Sequence, residues 1–168
     1  DDADGYCAAA EDLADARRVA EHLAIPLHTV NFSHEYWDRV FALFLAEYRA
    51  GRTPNPDVLC NREIKFGVFR EHAKRLGGEL LATGHYARVV DTPHGWRLMK
   101  GVDPAKDQSY VLGVLDAGQI AGCLFPLGGS SKPDVRAEAA ALGLAEAAGV
   151  PVRDVLAAAS GDSERGES

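Results

Sequence analysis

Apolar positions recur along the chain with helical and strand periods in alternation. In EDLADARRVAEHLA (11–24), Leu13, Ala16, Val19, Ala20 and Leu23 form a helical stripe with acids in its first turn. Pro26 ends that helix, and LHTVNF (27–32) reads as a short strand. Ser33 is the expected N-cap of a second helix, 34–49, whose Tyr36, Trp37, Val40, Phe41, Phe44, Leu45 and Tyr48 are available for packing. The pattern then lapses over GRTPNPDVLCN (51–61). Pro54 and Pro56 fix their own φ and push Thr53 and Asn55 into extended conformations, which predicts a stiff loop delivering Asp57 and Cys60 to one place. Asn61 is the expected cap of a third helix, 62–76, and Gly77-Gly78 its C-terminal stop. ELLAT (79–83) reads as a buried strand with Gly84-His85 at its carboxyl end. Tyr86–Val90 and Trp96–Lys100, joined by DTPHG, read as a hairpin. Helical patterns return at 108–116 and 133–143. The order helix, strand, helix, helix, strand predicts an α/β fold of parallel type, with no internal repeat.

Composition narrows this to a soluble chain of 168 residues, one domain with part of a second. No apolar run approaches the roughly 20 residues of a membrane span, and no signal-peptide pattern opens the chain. Three cysteines give no disulfide framework, so a reducing cytoplasm is the expected compartment. DDADGYC has no Met and reads like the inside of a loop, which suggests that the natural beginning lies elsewhere. From Ala145 the composition turns to Ala, Gly, Ser and acids. SGDSERGES (160–168) has no apolar side chain, and disorder is expected there.

The formal charge of −7 is unevenly spread. Residues 49–75 carry 7 basic against 3 acidic side chains, whereas residues 1–48 carry 3 against 10. The one basic segment therefore surrounds the Pro-Asn-Pro stretch. It is either a local phosphate-binding patch on an acidic protein or a solvated helix face.

Several residues there could carry chemistry. A thiol at Cys60, just before a helix start and near Arg62 and Lys65, would be pushed toward thiolate; the alternative is a small buried apolar residue. Asp57 is a general acid/base three residues away or a helix cap. Gly84-His85 follows a strand, where open α/β sheets bind ligands, although a lone histidine is more often structural. Lys106, Asp107 and Gln108 could hold phosphate or base edges, or could simply begin a helix. Cys7, read in an acidic loop, and Cys123, among Ala, Gly and Leu, are bystanders.

GRTPNPDVLCNREIKFGVF, LLATGHYARV, KGVDPAKDQSYVL and LFPLGGSSKPDVR occur in that order, and together they resemble the tRNA-specific 2-thiouridylases. The likeness runs from Asp1 to about Leu144. It implies a partial Rossmann-like sheet of the adenine nucleotide alpha hydrolase type with flanking helices, a β-hairpin and the start of a small helical central domain. Residues 1–116 would belong to the nucleotide-binding catalytic domain, 117–144 to the start of the central tRNA-binding domain, and 145–168 to an unmatched tail. In that family ATP, with Mg2+, adenylates the uracil carbonyl of the wobble uridine, and a cysteine persulfide then delivers sulfur. By resemblance, Asn55, Pro56 and Asp57 contact the target base, with Asp57 as acid/base. Cys60 matches the first catalytic cysteine, which pairs with the persulfide cysteine in turnover. Gly84 matches an ATP contact, and His85, Lys106, Asp107 and Gln108 match tRNA contacts. Implied partners are tRNA and a sulfur-donor protein carrying a persulfide, with no DNA, no membrane and no metal site of the chain's own.

Two departures stand beside the likeness. The family's Ser-Gly-Gly-x-Asp-Ser phosphate loop has no match, because Ser160-Gly161-Asp162-Ser163 has neither a strand before it nor a helix after it. Nor does any cysteine follow Leu144 to carry the persulfide. The expectation is an internal fragment, inactive alone. The competing readings are a noncatalytic RNA-binding remnant of the family and an unrelated Cys-His hydrolase.

Overall fold

The computed structural model describes residues 3–144, and the expectation of a disordered tail over 145–168 lies outside the described residues. The chain divides into two compact units, residues 1–30 with 132–168, and residues 31–131.

The first unit contributes helices Ala3–His22 and Lys132–Ala141. The first begins eight residues before the expected start, so Cys7 lies on a helix and not in the loop read from its acidic neighbours. Ala20 is buried, and the His22 ring nitrogen Nε2 lies 3.1 Å from the carbonyl oxygen of Leu142.

The second unit is the α/β part. Its first helix spans 33–49 and is π-helical over Trp37–Phe41. Ser33 is not its capping side chain. Asn31 Oδ1 accepts from the Ser33 backbone N–H at 2.8 Å and from its hydroxyl at 2.6 Å. The second helix runs over 56–75, with a nine-residue π segment at Asn61–Phe69. Gly77, at φ +93°, ends it. Gly78 N–H bonds Ala73 C=O and Gly77 N–H bonds Lys74 C=O, the paired bonds that close a helix on a left-handed residue.

The sheet differs from expectation in one strand. Leu81–Ala82 (β1) pairs in parallel with Cys123–Leu124 (β4), with Leu81 opposite Cys123. Residues 27–32 form no strand. No ladder neighbour is offered to them among the described residues, and Ile25, Leu27 and Val30 stay exposed. The hairpin is as expected: Ala87–Val90 (β2) pairs antiparallel with Arg97–Lys100 (β3), and Gly95 turns the chain at φ +91°. Short helices follow at Ser109–Leu112 and Ala117–Ala121, then a 3-10 turn at Pro126–Gly129.

Phe66, Leu81, Ala87, Leu112, Ile120 and Phe125 centre one core, which fastens helix 56–75 to β1, β4 and the hairpin. The burial of Leu81 and Cys123 on one face of the parallel pair sets β1, and hence the residues that follow it, against that helix. Among the described residues no helix is long and apolar enough to cross a membrane.

Candidate functional site

The Pro-Asn-Pro stretch is shorter as a loop than its sequence suggests. Asn55 is extended, at φ −97° and ψ 108°, and its side chain accepts the Asp57 N–H at 2.9 Å. Pro56 follows at the first helical position, where a fixed φ and a missing donor cost nothing. The helix therefore begins at Pro56, and Asn61 is not its cap. Asn61 sits inside the helix, 2% exposed; its amide nitrogen lies 3.4 Å from Val111 C=O, and its Oδ1 finds no partner among the described residues.

This geometry separates the roles of the first-turn residues. Asn55 is the cap, which leaves the Asp57 carboxylate exposed at the positive end of the helix. Cys60 is half-buried a full turn further in. Its thiol is pushed up by burial, with Lys65 pulling the other way and Asp57 adding to the rise. The expectation of a thiol activated by a helix start is thus corrected: the helix starts at Pro56, four residues before Cys60, and burial outweighs the nearby cation. Asn55 and Pro54 line a mostly apolar pocket of about 430 Å³ with Leu43, Val58, Leu59 and Arg62.

A second pocket, of about 340 Å³, opens where β1 ends. Lys65, Thr83, Gly84, His85 and Gln108 line it. His85 is 9% exposed, with the rings of Phe66 and Phe125 about 6 Å away on two sides. Thr83 Oγ1 lies 2.7 Å from its Nδ1, which holds the ring in one orientation. Burial first, and the Lys65 charge second, lower its pKa, so the ring is neutral near pH 7. Gln108 clips the chain beside it: its Oε1 accepts from Tyr86 N–H at 3.0 Å, and its own N–H bonds Tyr86 C=O at 2.9 Å.

Asp107 is engaged elsewhere. Burial works to raise its pKa, but hydrogen bonds from Gly101 N–H and from the hydroxyl and N–H of Ser109 hold the carboxyl low. Lys106 bonds Asp103 C=O through its backbone. Neither residue lines the His85 pocket. The structure therefore brings Gly84, His85 and Gln108 together, and places Asn55, Pro56, Asp57 and Cys60 on a separate stretch of helix 56–75. Cys123 is 4% exposed and its thiol donates to Gln119 C=O, in keeping with a bystander.

In the sequence Lys65 stands out only as a cation near the thiol, and Thr83 carries no signal of its own beyond its place at a strand end. Two signals were available: Lys65 lies five residues past Cys60 in a segment that turns out to be π-helical, and Thr83 is two residues before His85 at a strand end.

The family model described as the tRNA methyl transferase HUP domain matches residues 1–153. A tRNA-specific 2-thiouridylase of Sodalis glossinidius is 60% identical over 149 residues, covering 88% of this chain and 40% of that protein. The corresponding proteins of Tolumonas auensis and Methylococcus capsulatus are 60% and 58% identical over 148 and 145 residues, covering 88% and 86% of this chain. The chain spans about two fifths of the length of these relatives.

Proposed function

This chain belongs to the tRNA methyl transferase HUP domain family, and from that premise we propose that it serves the ATP-dependent 2-thiolation of the wobble uridine of tRNA. The observation that carries the reading is the start of helix 56–75. Asn55, whose carbonyl oxygen is spent on the backbone, lines a pocket, and the exposed Asp57 carboxylate and the half-buried Cys60 thiol follow it within six residues, outside the lining of that pocket. A base turned out of an RNA stack meets hydrogen-bonding groups and a nucleophile together at such a place.

The uracil oxygen at carbon 2 is a poor leaving group until AMP is transferred to it from ATP with loss of pyrophosphate. The terminal sulfur of a cysteine persulfide then attacks carbon 2, and AMP departs with the oxygen. Cys60 Sγ, as thiolate, attacks the carrier cysteine, which breaks the S–S bond, leaves sulfur on the uridine and forms a Cys60–carrier disulfide. A cellular dithiol resets it. Asp57 takes or returns protons at the base. Gly84 admits the nucleotide, and a side chain at that position would meet only Leu127 Cδ1, at 3.8 Å. His85, Gln108 and Lys106 contact tRNA, while Asp107 shapes the loop that presents them. Mg2+ arrives with ATP. The persulfide comes from a sulfur-donor protein, and the setting is the cytoplasm, where tRNA is modified.

The half-buried position of Cys60, a full turn inside the helix, favours a second reading, an RNA-binding module that performs no sulfur transfer itself. Incubation of the chain with ATP, a persulfide donor and unmodified tRNA, followed by nucleoside analysis, decides between them. ATP-dependent 2-thiouridine that disappears in Cys60→Ser supports the enzyme. Binding of tRNA that Asp57→Asn weakens, without product, supports the module. Absence of both overturns the proposal.

A further inference from the structure

The π segment Asn61–Phe69 changes which side chains share a face. Its backbone bonds reach five residues back, so residues five apart succeed one another along the helix. Asn61 and Phe66 display that register, being 2% and 1% exposed. Lys65 stands five residues after Cys60, the residue at the head of that segment, and its charge acts on the thiol. Lys65 also lines the pocket of Thr83, Gly84, His85 and Gln108, and its side chain is exposed with no hydrogen bond or ion pair among the described residues.

We propose that Lys65 is a positioning residue of this site, a cation shared between the Cys60 thiolate and a phosphate group bound in the Gly84–His85 pocket, so that the two anions compete for its charge. The inference rests on the reading above that Gly84 admits the nucleotide and that His85 and Gln108 contact tRNA, since either ligand brings a phosphate to this pocket. Lys65 acts on both groups, easing thiol ionisation at Cys60 and opposing protonation of His85. The segments packed on residues 56–60 carry Asp38 and Arg39 on the helix at 37–41 and Tyr110 on 109–112, but the charges that act on the thiol are Lys65 and Asp57 of its own helix. A phosphate drawn to Lys65 withdraws that support, and by reciprocity a thiolate weakens phosphate binding. The thiol is thereby kept protonated while a phosphate occupies the pocket and is released to ionise, its proton going to water, when the phosphate leaves.

The test is the rate of Cys60 alkylation by iodoacetamide, followed by peptide mapping across a range of pH, with and without inorganic phosphate. In the unmodified chain phosphate slows Cys60 and shifts its profile to higher pH. Lys65→Gln slows Cys60 by roughly three- to tenfold below the thiol's pKa and abolishes the response to phosphate, while Lys65→Arg restores both. AMP and a uridine oligoribonucleotide are run as separate arms, and the one that acts at the lower concentration identifies the source of the phosphate. Equal rates in Lys65→Gln and the unmodified chain overturn the proposal. So does phosphate slowing the Lys65→Gln variant as strongly, or silence of both nucleotide arms. The assay needs no tRNA turnover, so a missing 2-thiouridine product with these effects intact sinks the proposed function and leaves this inference standing.

Discussion

Replacing Asn55 by alanine removes the side-chain acceptor that the Asp57 N–H uses at the head of helix 56–75. A lost cap of this kind costs about 1 kcal/mol, read as a lower urea midpoint, and Asn55→Asp, which also caps, retains most of the stability. If Asn55 also contacts the base, both variants weaken RNA binding, because only asparagine carries the amide N–H2. That pair of roles was half legible in the sequence. Pro-Asn-Pro announced a special backbone and drew attention to Asp57 and Cys60, but it did not say whether Asp57 was acid/base or cap. The φ and ψ of Asn55 assign the cap to Asn55 and leave the Asp57 carboxylate exposed. His85 ties stability to pH. Its pKa in the folded chain lies below the ordinary histidine value because of burial and Lys65. Between the ordinary value, near 6.5, and the depressed one, the unfolded chain therefore binds the extra proton and the folded chain does not. Stability contributed by neutral His85 is present above about pH 6.5 and is lost as pH falls below it. Urea midpoints measured from pH 7.5 downward should decline, and His85→Gln should flatten the decline over that window. An unchanged slope would show that His85 titrates alike in both states.

The longer helices and the hairpin are readable from period, whereas Ala117–Ala121 is not and the pattern over 108–116 forms a helix only at Ser109–Leu112; these differences have specific causes. Helix 56–75 starts early because Pro56 suits a first helical position, a fact hidden when two prolines are read together as loop. Strand β4 is two residues long, between Gly122 and Pro126, too short to carry a period. The expected strand over 27–32 has the right composition, yet a strand exists only with a neighbour, and β1 pairs with β4 instead. The π register of Asn61–Phe69 leaves no mark in the hydrophobic pattern, but it has a visible brace. Gln119 Nε2 donates to Phe66 C=O at 3.1 Å and lies 3.4 Å from Arg62 C=O, while its Oε1 accepts from Asp116 N–H in a reciprocal cap with the Asp116 carboxylate. Asp116→Ala removes one half of that cap, at about 1 kcal/mol. Gln119→Ala removes the other half and also strips a donor from helix 56–75, for a loss of about 2 kcal/mol. Denaturation of the two variants side by side checks the order. Equal losses would mean that Gln119 contributes nothing to the π segment.

Charge is divided between the two units much as it is along the sequence. Residues 31–131 hold 12 basic and 11 acidic side chains, whereas the unit of residues 1–30 and 132–168 holds 6 basic and 14 acidic. All of the 49–75 basic segment, the Asn55–Cys60 stretch and the His85 pocket fall in the near-neutral unit, so an overall charge of −7 is no obstacle to RNA there. The parallel pair flanked by helices, together with the match over residues 1–153, fits a partial Rossmann-like α/β fold; the alternation of strand and helix patterns indicated the α/β class, and the family resemblance its Rossmann-like form. The charge division leads to a prediction about where RNA contacts lie. Association with an anticodon stem-loop carrying a wobble uridine should weaken as salt rises, because each phosphate contact releases counterions. Lys106→Ala should reduce the slope of log affinity against log salt by about 1, since one proposed phosphate contact is lost. Arg17→Ala, an exposed cation of the same kind in the acidic unit, should leave the slope unchanged. Fluorescence anisotropy of labelled stem-loop over a salt series measures all three proteins. If Arg17→Ala flattens the slope as much as Lys106→Ala, the RNA is held by diffuse charge, and the placement of the interface on residues 31–131 is wrong.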